Sequence, residues 1–255
     1  MKGLIIKDIM CLKKQLTVFI YVIIGVFIVS VMYVLSVRYG NLALAGKEML
    51  EANDMTDIDV KNLGTMVLVL FMLLPIATVG DMANVFEADG KAGFYKVSGA
   101  FPVSLKKRLL SRYISVYALF GIGVITDILI AFVLSIFTDL ISFTDFLGII
   151  ISASSVMSIY SSLVIFFSII FGYGKEQYSQ IFSILTIIAV VIAINFEKVK
   201  TMFTEIEDSS ETIMVWEMLD FIKEKAWVLF LVAVAVSILS YAASLLIAER
   251  KRGVI

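Results

Sequence analysis

The sequence predicts an all-α membrane protein with six transmembrane helices. Hydrophobic residues make up 60% of the 255-residue chain and charged residues only 17%, and the mean hydropathy is +1.00. A water-soluble fold of this size would leave much of this apolar surface exposed, so lipid must be the solvent for a large part of the chain. Six stretches are long and apolar enough to cross a bilayer core of roughly 30 Å as helices. Within a single transmembrane domain of residues 1–255, they lie at about 16–37, 62–80, 113–137, 146–172, 180–196 and 227–247.

The charge distribution predicts the orientation of these spans. If the N-terminus is placed in the cytosol, 14 of the 21 Lys and Arg residues fall on the cytosolic side and 15 of the 22 acidic residues fall outside. Cytosolic loops of membrane proteins carry an excess of Lys and Arg. The pattern therefore predicts a multi-pass protein of the cell membrane with both termini in the cytoplasm.

Residues 1–15 are predicted to form an interfacial helix in the inner headgroup layer, ahead of span 1. Apolar residues recur at helical spacing on one face, and two lysines lie opposite them. The apolar residues are Ile5, Ile9, Leu12 and Leu16, and the lysines are Lys7 and Lys14. Alternatively, the lysines serve only to orient span 1, and the two interpretations are compatible.

The cytosolic segment 81–112, between spans 2 and 3, is longer than most connections between helices, which take about 2–8 residues. Its first part has apolar residues at helical spacing, and a glycine-containing bend and aromatic residues follow. Pro102 favours an extended conformation before it, and Ser104 is placed to cap a helix that begins at Leu105. A short helix with aromatic side chains ahead of a capped basic helix predicts the docking of a cytosolic partner.

The basic residues at the end of this segment allow a second interpretation. Lys106, Lys107, Arg108 and Arg112 are suited to bind anionic lipid at the inner membrane surface. Under this interpretation the segment is a membrane anchor, and anionic lipid is an expected partner.

The outer segment 197–226, between spans 5 and 6, is long and acidic. Ile213, Trp216, Leu219 and Ile222 recur within it at helical spacing. This spacing predicts a short amphipathic helix that lies against the outer membrane surface.

Composition argues against catalysis by this chain. It has no His, which excludes His-ligated zinc, a Ser-His-Asp triad and a His general base, and its single Cys11 excludes an intramolecular disulfide. No GxxxxGK[ST] phosphate-binding loop is present. We therefore expect no catalytic residue, no metal or cofactor on this chain, and no nucleic-acid partner.

Asp127 is the one carboxylate within the predicted spans. An ionisable residue at the centre of a transmembrane helix is costly, which makes it a candidate functional residue. One hypothesis is that it faces the translocation route and meets cationic groups of a cargo. The alternative is that it is protonated, or hydrogen-bonded to the many hydroxyl groups of span 4, from Ser152 to Ser162. Pro75 is expected to kink span 2.

The stretch FPVSLKKRLLSRYI, at 101–114, carries a family resemblance. With an interfacial N-terminal helix, six spans and an outer helical segment, it resembles the ABC-2 type exporter permeases, and is most similar to phenol-soluble-modulin exporter-like permeases. In that family a Leu-Pro-Val-Ser/Thr-like turn leads to a Lys-Tyr entry into span 3. Here Phe101 replaces the Leu, and Arg112-Tyr113 stands where Lys-Tyr is commoner. The architecture covers the whole chain, and the motif covers about 85–115.

The resemblance implies a division of labour between subunits. A separate ABC nucleotide-binding subunit would bind ATP and Mg²⁺, and a coupling helix around 82–97 would dock into it. The residues that the resemblance places at this contact are Val85, Phe86, Glu87, Phe94 and Tyr95. A second permease copy, identical or related, would complete the route, and amphipathic or hydrophobic cargo such as cytolytic or antimicrobial peptides would move outward.

Two other functions are compatible with the residues. A non-transporting membrane scaffold or immunity protein would bind its partner through segment 81–112 and would be unaffected when ATP hydrolysis is blocked. A membrane-embedded enzyme would need Asp127 and hydroxyl groups to act without any His.

Overall fold

The computed structural model describes residues 2–39, 68–81, 103–137, 142–172, 175–194 and 225–250. Nearly all of these residues are helical, and none of them is in a β-strand, as the all-α prediction requires. In chain order the helices are α1 (Lys2–Cys11), α2 (Lys13–Tyr39), α3 (Leu74–Asp81), α4 (Leu105–Phe137), α5 (Phe143–Phe171), α6 (Glu176–Ile194) and α7 (Ala226–Arg250).

Four of the six predicted spans correspond to helices that are long and apolar enough to cross a membrane, namely Lys13–Ser36 of α2, and α4, α5 and α7. The apolar stretch of α6 is shorter and covers Gln177–Val190. For span 2 the described residues begin at Leu68, so that 62–67 lie outside the described part of the chain. Membrane crossing by spans 2 and 5 therefore stays a prediction.

α4 begins at Leu105, ahead of the predicted start of span 3 at residue 113. The Ser104 carbonyl accepts hydrogen bonds from the N–H groups of Lys107, at 3.0 Å, and Arg108, at 3.1 Å, so the helix starts beside the residue expected to cap it. A helix of 33 residues is about 50 Å long, which exceeds a bilayer core of roughly 30 Å. α4 is therefore longer than a bilayer crossing requires.

α1 packs against the start of α4. A turn at Leu12 separates α1 from α2, and this leucine is fully buried. Ile9, on the predicted apolar face, is exposed, whereas Asp8 is buried. The predicted N-terminal helix is present and Leu12 of its apolar stripe is buried, but the buried face also includes Asp8, which contacts α4, and leaves Ile9 exposed. Its position in the headgroup layer stays a prediction.

α5 is the central helix, and it packs against α3, α4, α6 and α7. The ring of Phe132, late in α4, lies 5.7 Å from the ring of Phe143 at the start of α5. The Tyr113 hydroxyl, early in α4, contacts Ser240 and Ser244 late in α7. The start of α4 and the end of α7 therefore lie with α1 at one end of the bundle, which we call the α1 end.

Candidate functional site

Asp127 is fully buried, at 0% exposure, on the side of α4 that faces α3. The backbone N–H of Ile76 in α3 points toward its carboxyl group. Neither carboxyl oxygen makes a hydrogen bond of standard geometry with any described residue. An Asp at the centre of a transmembrane helix costs roughly 2.5–3.5 kcal/mol on translocon scales, and the described surroundings offset little of that cost.

The helix of predicted span 2 is interrupted next to Asp127. Residues 68–72 are helical, Leu73 is a turn, and α3 begins at Leu74 immediately before Pro75. Proline has no N–H and its ring clashes with the carbonyl of the preceding turn, which accounts for the interruption at the position where the sequence predicted a kink. The break leaves backbone N–H groups at the start of α3, including that of Ile76, available to face Asp127.

Gly123 lies one turn before Asp127 and allows α4 to approach α3 closely. A Cβ atom at Gly123 would lie 3.3 Å from Val79 Cγ2 and 3.5 Å from the Pro75 carbonyl oxygen. At Gly121, on the same helix, a Cβ atom would meet nothing within 4 Å. Because Gly123 has no side chain, α3 and α4 can pack closely enough to bury Asp127.

The hydroxyl groups of α5 do not hydrogen-bond Asp127 within the described structure, so this part of the alternative hypothesis is wrong. Ser152 donates to the Gly148 carbonyl, and Ser155 donates to the Ile151 carbonyl, both in α5 itself. Backbone carbonyls within one turn satisfy these serines, so they need no partner on another helix.

Two further serines of α5, Ser158 and Ser162, belong to a cluster that we call the tyrosine layer, formed by Tyr113, Tyr117, Ser158, Ser162, Ser237, Ser240 and Ser244. The Tyr117 hydroxyl lies 3.1 Å from Ser158, 2.7 Å from Ser162 and 2.5 Å from Ser237. The Tyr113 hydroxyl lies 2.8 Å from Ser240 and 3.3 Å from Ser244. Because each hydroxyl both donates and accepts, these contacts join α4, α5 and α7.

A second polar contact at the α1 end involves Asp8, which is 1% exposed. Its Oδ2 accepts from Ser111, at 3.4 Å, and from Ser115, at 3.3 Å, both on α4. Lys7 Nζ lies 2.7 Å from Asp8 Oδ1. Sequence reasoning missed this contact, since a short-range pattern does not reveal which residue of α4 will cover α1.

The four basic residues proposed to bind anionic lipid differ in accessibility. Lys106 and Lys107 are exposed, Arg108 is half-buried, and Arg112 is buried at 8% exposure. Lys106 and Lys107 are therefore the accessible residues of this group, whereas Arg112 is enclosed by the bundle.

A cavity of about 540 Å³ lies between α2 and α4. Its lining is apolar apart from Ser30 and Thr126, and it includes Phe27, Leu129 and Phe137. The Ser30 hydroxyl is buried and has no hydrogen-bond partner among the described residues. A volume of this size fits a small apolar ligand or one end of an amphipathic chain.

Comparison with known protein families decides what kind of bundle this is. The sequence profile of the family described as ABC-2 family transporter protein matches residues 55–251, which is more than half of the chain. The chain belongs to the ABC-2 transporter family. No curated protein and no solved structure gives a significant match.

As an ABC-2 family member, the chain is a multi-pass membrane protein and a transmembrane permease of an ABC transporter. Such permeases are generally non-catalytic subunits, and the family implies association with an ABC ATPase subunit. Among the described residues, no group of three or more Cys, Asp or Glu residues is placed to hold a metal ion.

Several predicted features lie outside the described residues of this ABC-2 permease. The predicted coupling helix and its predicted contact residues fall within residues 82–102; these contact residues are Val85, Phe86, Glu87, Phe94 and Tyr95. Residues 195–224 contain most of the predicted outer amphipathic helix. The described structure does show α3 and α4, the two helices that flank the predicted coupling segment, side by side with Asp127 between them.

Proposed function

We propose that this chain is the permease subunit of an ATP-driven exporter. The observation that carries the proposal is membership of the ABC-2 transporter family, over residues 55–251. A buried carboxyl group and an apolar cavity, both on α4, are features expected of a subunit that lines a route for amphipathic molecules. Family membership favours transport over a scaffold or immunity role.

The proposed orientation has the α1 end of the bundle, and both termini, in the cytoplasm. Described basic residues concentrate at the α1 end, on α1, at the start of α2 and at the start of α4; they include Lys7, Lys13, Lys14, Lys106, Lys107 and Arg108. Positively charged ends of transmembrane bundles face the cytosol. Lys106 and Lys107 would then lie next to anionic lipid of the inner leaflet.

ATP and Mg²⁺ would be bound by a separate nucleotide-binding subunit, which would dock on the coupling helix around 82–97. A second permease copy, identical or related, would complete the route. ATP would favour one arrangement of the ATPase dimer, and rigid docking would pass that preference to the spans.

The proposed cargo is amphipathic or hydrophobic, with cytolytic or antimicrobial peptides as the first candidates. The cavity between α2 and α4 has an apolar lining that includes Ile24, Phe27 and Leu129. This lining supports a cargo with an apolar face. Asp127 is the candidate residue for the translocation route and would meet positively charged groups of the cargo.

Purification of the chain from its native membrane in mild detergent tests the proposal. Mass spectrometry should find a stoichiometric subunit with a Walker motif, and the purified complex should hydrolyse ATP. A chain that purifies alone, without ATPase activity, would contradict the motor-driven exporter and return the scaffold role to first place.

A double substitution, Phe94→Ala with Tyr95→Ala, tests the docking residues. We expect much less ATPase to co-purify, while the permease remains in the membrane at its normal level. The control is Lys106→Ala with Lys107→Ala, which removes exposed charge and should leave ATPase association intact. Equal co-purification with all three chains would refute the coupling-helix assignment.

A further inference from the structure

The interface between α3 and α4 lacks side-chain hydrogen bonds of the kind that join α4 to α1, α5 and α7. Among the side chains that the structure describes, no hydrogen bond links a side chain of α3 to a side chain of α4, although Asp127 is buried between them. In α3 the Thr78 hydroxyl donates to the Pro75 carbonyl of its own helix, at 2.9 Å. Apart from the backbone N–H of Ile76, which points toward Asp127, the described contacts that hold α3 against this side of α4 are apolar.

α3 has a built-in point of rotation at its N-terminal end. The turn at Leu73, immediately before the Leu74–Pro75 pair, separates α3 from the helical residues 68–72. A proline disrupts the hydrogen bonding of the preceding turn, so bending at this point costs fewer hydrogen bonds than bending elsewhere in the helix.

The surfaces around α3 also permit movement. At Gly123 the nearest atoms of α3 are a methyl group of Val79 and the Pro75 carbonyl. On the other side of α3, a Cβ at Gly80 would lie 3.4 Å from the Met157 sulfur, at the end of a flexible side chain. α4, in contrast, is joined to α5 and α7 through the tyrosine layer and to α1 through Asp8.

We propose that α3 swings away from α4 about the Leu73–Pro75 break during the transport cycle, and that this movement uncovers Asp127 to bind a positively charged group of the cargo. The inference rests on the proposed transport function and names the element that regulates access to the route. Keeping a carboxyl group with few hydrogen bonds away from water is costly, and exposure to water or to a cationic group relieves that cost.

The chain connectivity explains why α3 is the helix that moves. α3 ends at Asp81 and α4 begins at Leu105, so the proposed coupling segment connects the two. A displacement of that segment acts on both helices. Because α4 is joined by hydroxyl contacts to α5 and α7, the displacement moves α3, which has no such contacts in the described structure.

Cysteine accessibility in the intact transporter complex tests the movement. Replacing Cys11 by Ser leaves a chain without cysteine, to which Asp127→Cys or Ser162→Cys is added. Both positions are fully buried, but Ser162 belongs to the tyrosine layer. With the ATPase bound, ATP and vanadate should accelerate the reaction of Asp127→Cys with N-ethylmaleimide at least about tenfold, and leave Ser162→Cys unreactive. Labelling of Asp127→Cys that does not respond to nucleotide, or that changes equally at Ser162→Cys, overturns the inference.

A reversible crosslink provides an independent test. A Cβ atom at position 123 lies 3.3 Å from Val79 Cγ2, so the Cβ atoms of the double variant Val79→Cys and Gly123→Cys are close enough for a disulfide. The substitution at Val79 also removes the methyl group that would crowd the new side chain. Oxidation should abolish ATP-driven transport of a fluorescent cationic amphipathic peptide into sealed vesicles, and a reductant should restore it. Full transport with the disulfide closed overturns the inference.

The wild-type complex separates the two possible failures. If no ATPase binds to it and no peptide probe moves, the proposed function is wrong, and with it the inference. If the wild-type complex transports the probe but the crosslinked chain transports it equally well, only the movement of α3 is refuted.

Discussion

The two polar regions of α4 are built in opposite ways. At the tyrosine layer, Tyr117 contacts hydroxyl groups on both α5 and α7, so its polar group is well satisfied. Further along α4, on the side that faces α3, Asp127 is buried, and neither of its carboxyl oxygens makes a standard hydrogen bond to the described residues. Polar networks with every group satisfied make an interface rigid, whereas a poorly satisfied group makes burial expensive. The comparison suggests that α4–α5–α7 is a fixed unit and that the α3 interface is the one that opens.

The largest effect on stability is expected from Gly123→Leu. A side chain there would press on Val79 and on the Pro75 carbonyl, and a backbone atom cannot move aside as a side chain can. Overpacking of this kind costs about 3 kcal/mol. The free energy of unfolding in mixed micelles, measured by SDS titration, checks this value.

Gly121→Leu is the matched control for Gly123→Leu, since a Cβ at Gly121 meets nothing within 4 Å on the same helix. Its effect should be below about 0.5 kcal/mol, as for surface positions. Equal losses at the two glycines would show that helix packing near Val79 is not the cause.

The second largest effect is expected from Tyr117→Phe, which keeps the ring and removes the hydroxyl. Hydrogen bonds between transmembrane helices contribute about 0.6 kcal/mol each, so the loss of three contacts should cost about 1.5 kcal/mol. Tyr178→Phe is the control, because the Tyr178 side chain is exposed and its change should be neutral. An equally neutral Tyr117→Phe would show that the layer does not hold α4, α5 and α7 together.

The sequence predicted the helices well and their contacts poorly. Apolar runs located α2, α4, α5 and α7, because a span needs a minimum length of apolar residues whatever its neighbours are. Ser104 likewise marked the start of α4. The surroundings of Asp127 were predicted less well. The sequence offered hydroxyl groups of α5 as one possible partner, whereas in the structure Asp127 faces the start of α3.

The reason is that spacing reports which residues share a helix face, but not which helix covers that face. A signal for the tyrosine layer was present in the four-residue spacings Tyr113–Tyr117, Ser158–Ser162 and Ser240–Ser244. These spacings predict polar stripes on three helices. Their meeting depends on the packing of the bundle, which no local pattern contains.

A smaller effect is expected from Asp8→Ala. The substitution removes the acceptor of Ser111 and Ser115 and the ion pair with Lys7. A backbone carbonyl of α4 lies within hydrogen-bond distance of each serine, and the single O–H can turn to it when Asp8 is removed. Neither serine is then left unsatisfied, and the loss should be about 1 kcal/mol. Asp8→Asn keeps one acceptor oxygen and should lose less. A neutral Asp8→Ala in the same SDS titration would show that α1 is held to α4 by apolar contacts such as those of Leu12.

The smallest effect on stability, and the one of opposite sign, is expected from Asp127→Asn. The change keeps the shape of the side chain and replaces a carboxyl group by an amide, which is less costly to bury. Since no standard hydrogen bond to a described residue is lost, stability should rise by about 0.5 kcal/mol, while transport of a cationic peptide falls at least about tenfold.

Whether Asp127→Asn raises or lowers the free energy of unfolding shows whether the two polar regions of α4 differ as described. Because Asn keeps one acceptor oxygen, a loss of about 1 kcal/mol or more would mean that a contact with α3, such as the Ile76 N–H, stabilises the carboxyl group more than it stabilises an amide. The α3 interface would then resemble the tyrosine layer, and the reason for expecting it to open would disappear. A gain in stability together with lost transport would instead identify Asp127 as a residue retained for function at the expense of stability.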